Sequence, residues 1–252
     1  NEHSYEYPDE VHFELSEQEL NSYQRAADYL NFNNTDVVSL QHEFGIFGGI
    51  ESSHILGLMR NIHIPIVTTL HTILEKTNND QMRVMKELLS LSTRVVCMSE
   101  KGRDFLTHIY KVPVGKIDLI PHGIPDIPFV DPNFYKDQFG VEGKYVILTF
   151  GLLSENKGIE YVLQALPKVI AEFPNLVYIV LGATHPTVLQ QHGEEYRISL
   201  ERMVHDLGIK KHVIFFNRFV ELEDLKEFLG SADIYITPYL NPAQITSGTL
   251  AY

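Results

Sequence analysis

The sequence predicts an α/β protein built as two βα domains in tandem, each on a parallel sheet. Three observations carry this reading. Short apolar runs rich in β-branched residues alternate with amphipathic stretches, the pattern of a parallel sheet covered by helices. The alternation is interrupted by a stretch carrying Pro125, Pro128 and Pro132, and restarts after it. No apolar run approaches the roughly 18–20 residues of a membrane span. The longest, residues 145–151 and 176–182, have strand length.

Taken in order, a helix is expected to open at Ser16-Glu17-Gln18-Glu19, which reads as a capping box, with Leu20, Tyr23, Ala26, Ala27 and Leu30 following at helical spacing. Residues 36–40 read as a strand running into the glycine-rich loop Gln41-His42-Glu43-Phe44-Gly45-Ile46-Phe47-Gly48-Gly49. A helix near residues 51–61, a strand at 65–70 ending on His71-Thr72, a helix at 79–91 and a strand at 94–98 come next. Ser99 caps a helix reaching about residue 110, with Glu100 in its first turn, where the helix dipole favours an acid. A short strand at 116–120 closes at Pro121-His122-Gly123-Ile124-Pro125. The domains are therefore expected at residues 1–126 and 141–252, with a linker at 127–140. In the second, strands are expected at 145–150, 176–181, 213–216 and 234–237, and helices at 158–173, 192–207 and 222–229. Two such domains predict a deep cleft between them, and open α/β sheets bind ligands beyond the carboxyl ends of their strands.

The chain has 252 residues, 44% of them hydrophobic, enough to bury the cores of one large or two modest domains. A formal net charge of -13 disfavours a nucleic-acid partner, yet leaves room for a small anion, which needs only a few local donors. The single cysteine, Cys97, lies in an apolar run and reads as core, and the lack of a disulfide framework suggests a reducing cytoplasm. The chain opens at Asn1-Glu2-His3 with no leader pattern and stops at Leu250-Ala251-Tyr252 inside what reads as a helix start, so both ends read as cuts and both domains as incomplete. Missing strands would expose sheet edges and allow edge-mediated dimers of the chain.

The sharpest local signal is Thr149-Phe150-Gly151-Leu152-Leu153-Ser154-Glu155-Asn156-Lys157-Gly158-Ile159-Glu160: a buried strand, a tight loop, a lysine and a glycine, then a helix. Free backbone N–H groups at the helix start, a glycine that admits close approach and a full positive charge make a phosphate cradle. The same segment also reads as an ordinary βα turn with a solvated lysine.

This segment resembles the G-R-L-x-x-x-K-G loop of the family 4 (group 1) glycosyltransferases, and other segments match that family in order. Ile120-Pro121-His122-Gly123-Ile124 is similar to I-P-N-G-V, and Thr68-Thr69-Leu70-His71-Thr72 to the T-x-H strand end. Arg94-Val95-Val96-Cys97-Met98-Ser99 resembles the strand that ends in a capping serine. Val180-Leu181-Gly182, His205-Asp206-Leu207-Gly208-Ile209, Phe219-Val220 and Ala232-Asp233-Ile234-Tyr235-Ile236-Thr237-Pro238 resemble second-domain motifs. The likeness covers the chain from about residue 36 onward. It implies a GT-B fold of two Rossmann-like domains facing a cleft, a UDP- or GDP-type sugar donor on the second, a sugar or lipid-linked acceptor on the first, and retaining hexosyl transfer with no metal and no other cofactor.

By the same resemblance His71 and Gln244 are the catalytic candidates, and Gly151, Lys157, Gly158, Phe219, Val220, Ser247, Gly248, Thr249 and Tyr252 would hold the donor. His71 also reads as a strand-end histidine satisfied by a backbone carbonyl. His42 and Glu43 are acceptor-side candidates, or else polar groups of a solvated turn. His122 reads as structural, His185 follows a strand that points at the nucleotide, Arg103 reads as surface, and Arg218 is placed to reach the cleft. Three departures from the family pattern stand out. Its diphosphate arginine falls on Leu152, and the two glutamates of its E-x7-E motif fall on Gln244 and Tyr252. These favour a rival reading, a nucleotide-sugar binder that has lost catalysis. A second rival, a nucleotide-sugar epimerase on the same fold, lacks the arginine pair it would need. The 252 residues alone are expected to be inactive in transfer.

Overall fold

A computed structural model describes residues 7–126, 128–240 and 248–252. Gln244 and Ser247 lie outside the described residues. Among the described residues the chain divides between Gly123 and Ile124 into two compact units, with 248–252 in the second.

The first unit runs α1 (Leu20–Phe32), β1 (Val38–His42), α2 (Ile55–Asn61), β2 (Ile66–Leu70), α3 (Asn79–Leu91), β3 (Arg94–Cys97), α4 (Glu100–His108) and β4 (Ile117–Leu119). Its strands pair in parallel in the order β1-β2-β3-β4, so each βα step moves the same way across the sheet. Tyr23, Ile55, Leu56, Leu70, Met85, Leu88, Val95, Cys97 and Leu106 fill its core. Burial raises the pKa of the Cys97 thiol. Ser99 caps α4 as expected, its hydroxyl accepting the Gly102 N–H at 3.1 Å. The capping box expected at Ser16 does not form. The Tyr23 hydroxyl donates to Glu17 O at 2.9 Å and draws residues 16–19 into a turn, so α1 starts at Leu20 without a side-chain cap. The capping box of this unit sits instead at Asn78 and Gln81, at the head of α3. The helix expected over 51–61 is a 3₁₀ turn at Ile50–Ser52 followed by α2.

The second unit runs α5 (Asn133–Lys136), β5 (Tyr145–Phe150), α6 (Ile159–Glu172), β6 (Leu176–Leu181), α7 (Pro186–His192), α8 (Glu195–Asp206), β7 (Val213–Phe216), α9 (Leu222–Ser231), β8 (Ile234–Tyr235) and α10 (Gly248–Ala251). The helix expected at 192–207 is α8, starting at Glu195, and a further helix, α7, precedes it; the Gly193 N–H closes α7 on Leu189 O at 2.9 Å. The sheet order is β7-β6-β5-β8, all parallel. The chain starts at β5, moves outward to β7, then returns to lay β8 on the other side of β5. The strand order therefore reverses between β5 and β8, which is where open α/β sheets place ligands. Every residue of β6 is buried, matching its unbroken Leu-Val-Tyr-Ile-Val-Leu run and its apolar layers on both faces.

The second half of the stretch read as a linker is packed. Phe139 stacks on Phe228 of α9 at 4.2 Å between centroids, and buried Lys136 donates to Asp233 Oδ1 at 3.0 Å, Asp233 Oδ2 at 2.8 Å and Lys144 O at 2.8 Å. Asp233 Oδ2 also accepts the Val146 N–H at 2.7 Å, so one carboxylate joins α5, β5 and the start of β8. Asp233→Ala leaves the buried ammonium without its counter-charge and the Val146 amide unpaired. It is expected to destabilise the second unit by about 3–5 kcal/mol, read as a fall in urea midpoint, with Asp233→Asn losing less.

In the first unit the inward positions of β1 are Leu40 and His42. His42 has no exposed surface, packs on Phe44 and Phe47, and neither ring nitrogen finds a hydrogen-bond partner. Burial, with His71 nearby, lowers its pKa from 6.5 to about 4. The folded state thus holds the neutral ring. From about pH 6.5 down to about pH 4 the unfolded chain takes up a proton that the folded chain refuses, so stability falls as pH drops through that window, by about 3 kcal/mol in all. His42→Phe should flatten this part of the pH–stability curve in urea titrations; an unchanged slope would refute the assignment.

Candidate functional site

At the reversal point the strand ends are locked backbone to backbone. Beyond β5 and β6, a Cβ on Gly182 would sit 2.0 Å from Gly151 O, so no side chain fits there. The two loops continue side by side, Leu153 N–H donating to Ala183 O at 2.8 Å and His185 N–H to Leu153 O at 2.9 Å. On the other side, Gly158 opens α6 with φ +64, and a Cβ there would lie 2.2 Å from Pro238 O. Leu240 N–H donates to Asn156 O at 3.1 Å. The loops following β5 and β8 are therefore held together on both flanks of Lys157.

Lys157 is half-buried, and its Nζ lies 4.1 Å from the centroid of the Tyr239 ring. The Tyr239 hydroxyl shares a 2.6 Å hydrogen bond with Thr249 Oγ1. A Cβ built on Gly151 would lie 3.8 Å from Lys157 Nζ and 3.4 Å from the Thr249 methyl. Gly151, Lys157, Gly158 and Thr249, named from the sequence at scattered positions, thus converge on one place at the carboxyl end of β5. Beneath it Tyr178 donates to Thr149 Oγ1 at 2.9 Å, and Thr149 to Ile236 O at 2.8 Å, bracing β5 against β8. Phe150 stacks on Tyr235 and meets the edge of Tyr252. The Tyr235 hydroxyl is buried beside Thr249 and Tyr239 without completing a hydrogen bond to either, and burial raises its pKa. Chemically, this is a full positive charge beside the backbone of a glycine, Gly151, which brings no side chain of its own.

The remaining candidates are more dispersed. Phe219 follows β7 with 75% of its surface exposed, while Val220 packs into the core beneath α9. Leu152 is half-buried, Gly248 opens α10, Tyr252 is 44% exposed, and Arg218 is exposed. Arg103 pairs with Glu100 on the surface of α4. His122 Nδ1 lies 2.8 Å from Gly123 O. Tyr239 was not singled out from the sequence. Its signal was an aromatic residue directly after Pro238, in the loop beyond the strand that reverses the sheet order.

In the first unit, His71 and Gln41 meet at the carboxyl ends of β2 and β1. Gln41 gives its amide to Ser39 Oγ at 3.3 Å and sets Oε1 2.9 Å from His71 Nε2, and His71 N–H donates to His42 O at 2.9 Å. His42, expected on the acceptor side, presents no surface to a ligand, because alternation along β1 turns it into the core. Glu43 Oε1 accepts the Phe44 N–H at 3.0 Å and orders the start of the glycine-rich loop. That loop lines a cavity of about 560 Å³ with Glu17, Gln18, Phe47, Ile50, Glu51 and Ser52 among its walls. Among the described residues, no three His, Cys, Asp or Glu side chains gather as a metal site requires, and no helix is long and apolar enough to cross a membrane.

Comparison with known proteins matches both units. Residues 10–126 fit the family profile described as Glycosyltransferase Family 4, and residues 131–242 the one described as Glycosyl transferases group 1. An uncharacterised glycosyltransferase of Methanocaldococcus jannaschii is 28% identical over 155 residues, covering 58% of this chain and 36% of its own. A GDP-mannose-dependent alpha-(1-6)-phosphatidylinositol monomannoside mannosyltransferase of Mycolicibacterium smegmatis is 25% identical over 130 residues, covering 50% of this chain and 31% of its own. The chain thus spans about a third of the length of these relatives. Among solved structures, Anabaena HepE in complex with UDP-glucose superposes with a TM-score of 0.67 at 17% identity, over 91% of this chain and 60% of that one. At that identity the likeness speaks for the fold, which is GT-B. With one profile on each unit, the chain belongs to the group 1, family 4 glycosyltransferases.

Proposed function

We propose that the protein transfers a hexosyl group from a nucleoside diphosphate sugar, of the UDP or GDP type, to a sugar or lipid-linked acceptor, with retention and without a metal. The observation that carries this reading is the Lys157 ammonium, held beside Gly151 where the strand order reverses. As the bond from the sugar to the diphosphate breaks, negative charge grows on the departing oxygen. A fixed cation and backbone donors stabilise that charge most where water is excluded. Relatives named for GDP-mannose and solved with UDP-glucose support a nucleotide-sugar donor. In this reading residues 141–252 carry the donor, with Gly151, Lys157, Gly158, Phe219, Val220, Ser247, Gly248, Thr249 and Tyr252 around it, and residues 1–126 carry the acceptor, with Glu43 on that side. His71 and Gln244 attend the reacting sugar, and Gln41 fixes the His71 ring for that task.

A nucleotide-sugar binder without catalysis is the second reading, favoured by Leu152 in place of an arginine. Turnover separates the two. In the full-length protein, Lys157→Ala should weaken UDP or GDP binding by about 1.5–3 kcal/mol in calorimetry, the value of a charge-assisted hydrogen bond. Equal affinity in wild type and variant would refute the donor assignment. His71→Ala should leave nucleotide affinity in place and lower sugar transfer, or donor hydrolysis, about tenfold or more. Nucleotide binding with no turnover of any donor in the wild type would establish the binder.

A further inference from the structure

Lys157 is unusual in what holds it. Among the described residues its ammonium enters no ion pair, and its partner is the face of Tyr239 at 4.1 Å, well inside the range of a cation–π contact. That partnership is built into the backbone. Gly158 abuts Pro238 O on one side of the pair, and Asn156 O takes the Leu240 N–H on the other, so Lys157 and Tyr239 are set opposite each other by their neighbours. The ring is also tied at its far end, where its hydroxyl meets Thr249 Oγ1 at 2.6 Å. A carboxylate placed there would orient the lysine and also cancel its charge. An aromatic face orients it and leaves the charge whole, which suits a residue that must meet a diphosphate without a companion arginine at Leu152.

From this geometry we infer that Tyr239 is a positioning residue for the donor phosphates: its ring holds the Lys157 ammonium in place, undiminished, beside Gly151. The inference rests on the assignment of Lys157 to the donor diphosphate. The ring acts through the lysine and the hydroxyl through Thr249, so the two parts separate by substitution. Tyr239→Phe keeps the face and should bind UDP within about twofold of wild type, whereas Tyr239→Leu removes the face and should weaken UDP about three- to tenfold.

The test is UDP calorimetry on the full-length protein with these two variants, Lys157→Met, and the double variant Lys157→Met/Tyr239→Leu. Tyr239→Met, which fills the space without a π-face, replaces the leucine variant if the latter lowers the unfolding midpoint. Tyr239→Leu should cost nothing further once Lys157 is methionine. A loss that persists in the Lys157→Met background would show that the ring acts independently of the lysine, and would overturn the inference. So would unchanged affinity in Tyr239→Leu, or a loss in Tyr239→Phe as large as in Tyr239→Leu. If Lys157→Met alone binds UDP like wild type, the donor assignment itself fails. If Lys157→Met binds weakly while Tyr239→Leu does not, the inference about Tyr239 fails alone.

Discussion

The contact between Gly158 and the carbonyl of Pro238 is the constraint on which the second unit's site depends. It joins the loop that leaves β5 to the loop that leaves β8, with no room for a side chain between them. Given that contact, Lys157 faces Tyr239, Tyr239 reaches Thr249, and Gly151 lies beside Lys157 and Thr249. Without it, each group would sit on its own loop and keep its rotamer freedom. The site is thus a property of two strand ends held at fixed separation, and the sheet beneath supplies that separation through the Tyr178–Thr149–Ile236 chain of hydrogen bonds.

How much of this could be read beforehand follows from how local each signal is. Strands such as 145–150 and 176–181 stand out because a buried parallel strand reads as a near-continuous apolar run. Lys157 and Gly158 were legible because a cation before a glycine at a helix start is a chemical statement made within a few residues. Tyr239 was not, because its role arises only when β8 returns to the far side of β5, and an aromatic residue after Pro238 does not by itself announce that return. The turn at 16–19 shows the opposite case, a plausible local cap overridden by a hydroxyl from the next turn of chain.

His42 and His71 illustrate a related point. They lie at the ends of neighbouring strands and are joined through backbone, yet the two-residue period of a strand sends one ring into the core and leaves the other beside Gln41. The glycines that follow His42 made it look like part of a solvated loop. Alternation with buried Leu40 was the better guide. A neutral, unpartnered imidazole among phenylalanines carries a desolvation cost, which is the physical reason the first unit is expected to lose stability as pH falls.

The Lys136–Asp233 pair has a consequence for how the molecule is made. Its members are 97 residues apart in sequence, and β8 can pair with β5 only after α6, β6, α7, α8, β7 and α9 have intervened. Closing so long a loop is entropically slow, so the β5–β6–β7 part of the sheet can assemble first, while β8 and the loop beyond it dock late. On a ribosome, Lys136 and Val146 emerge long before Asp233, and in that interval an ammonium lacks its counter-charge and a strand edge its partner. The nascent second unit therefore spends its longest vulnerable period with the edge of β5 open, and completing its sheet also brings Lys157 and Tyr239 together.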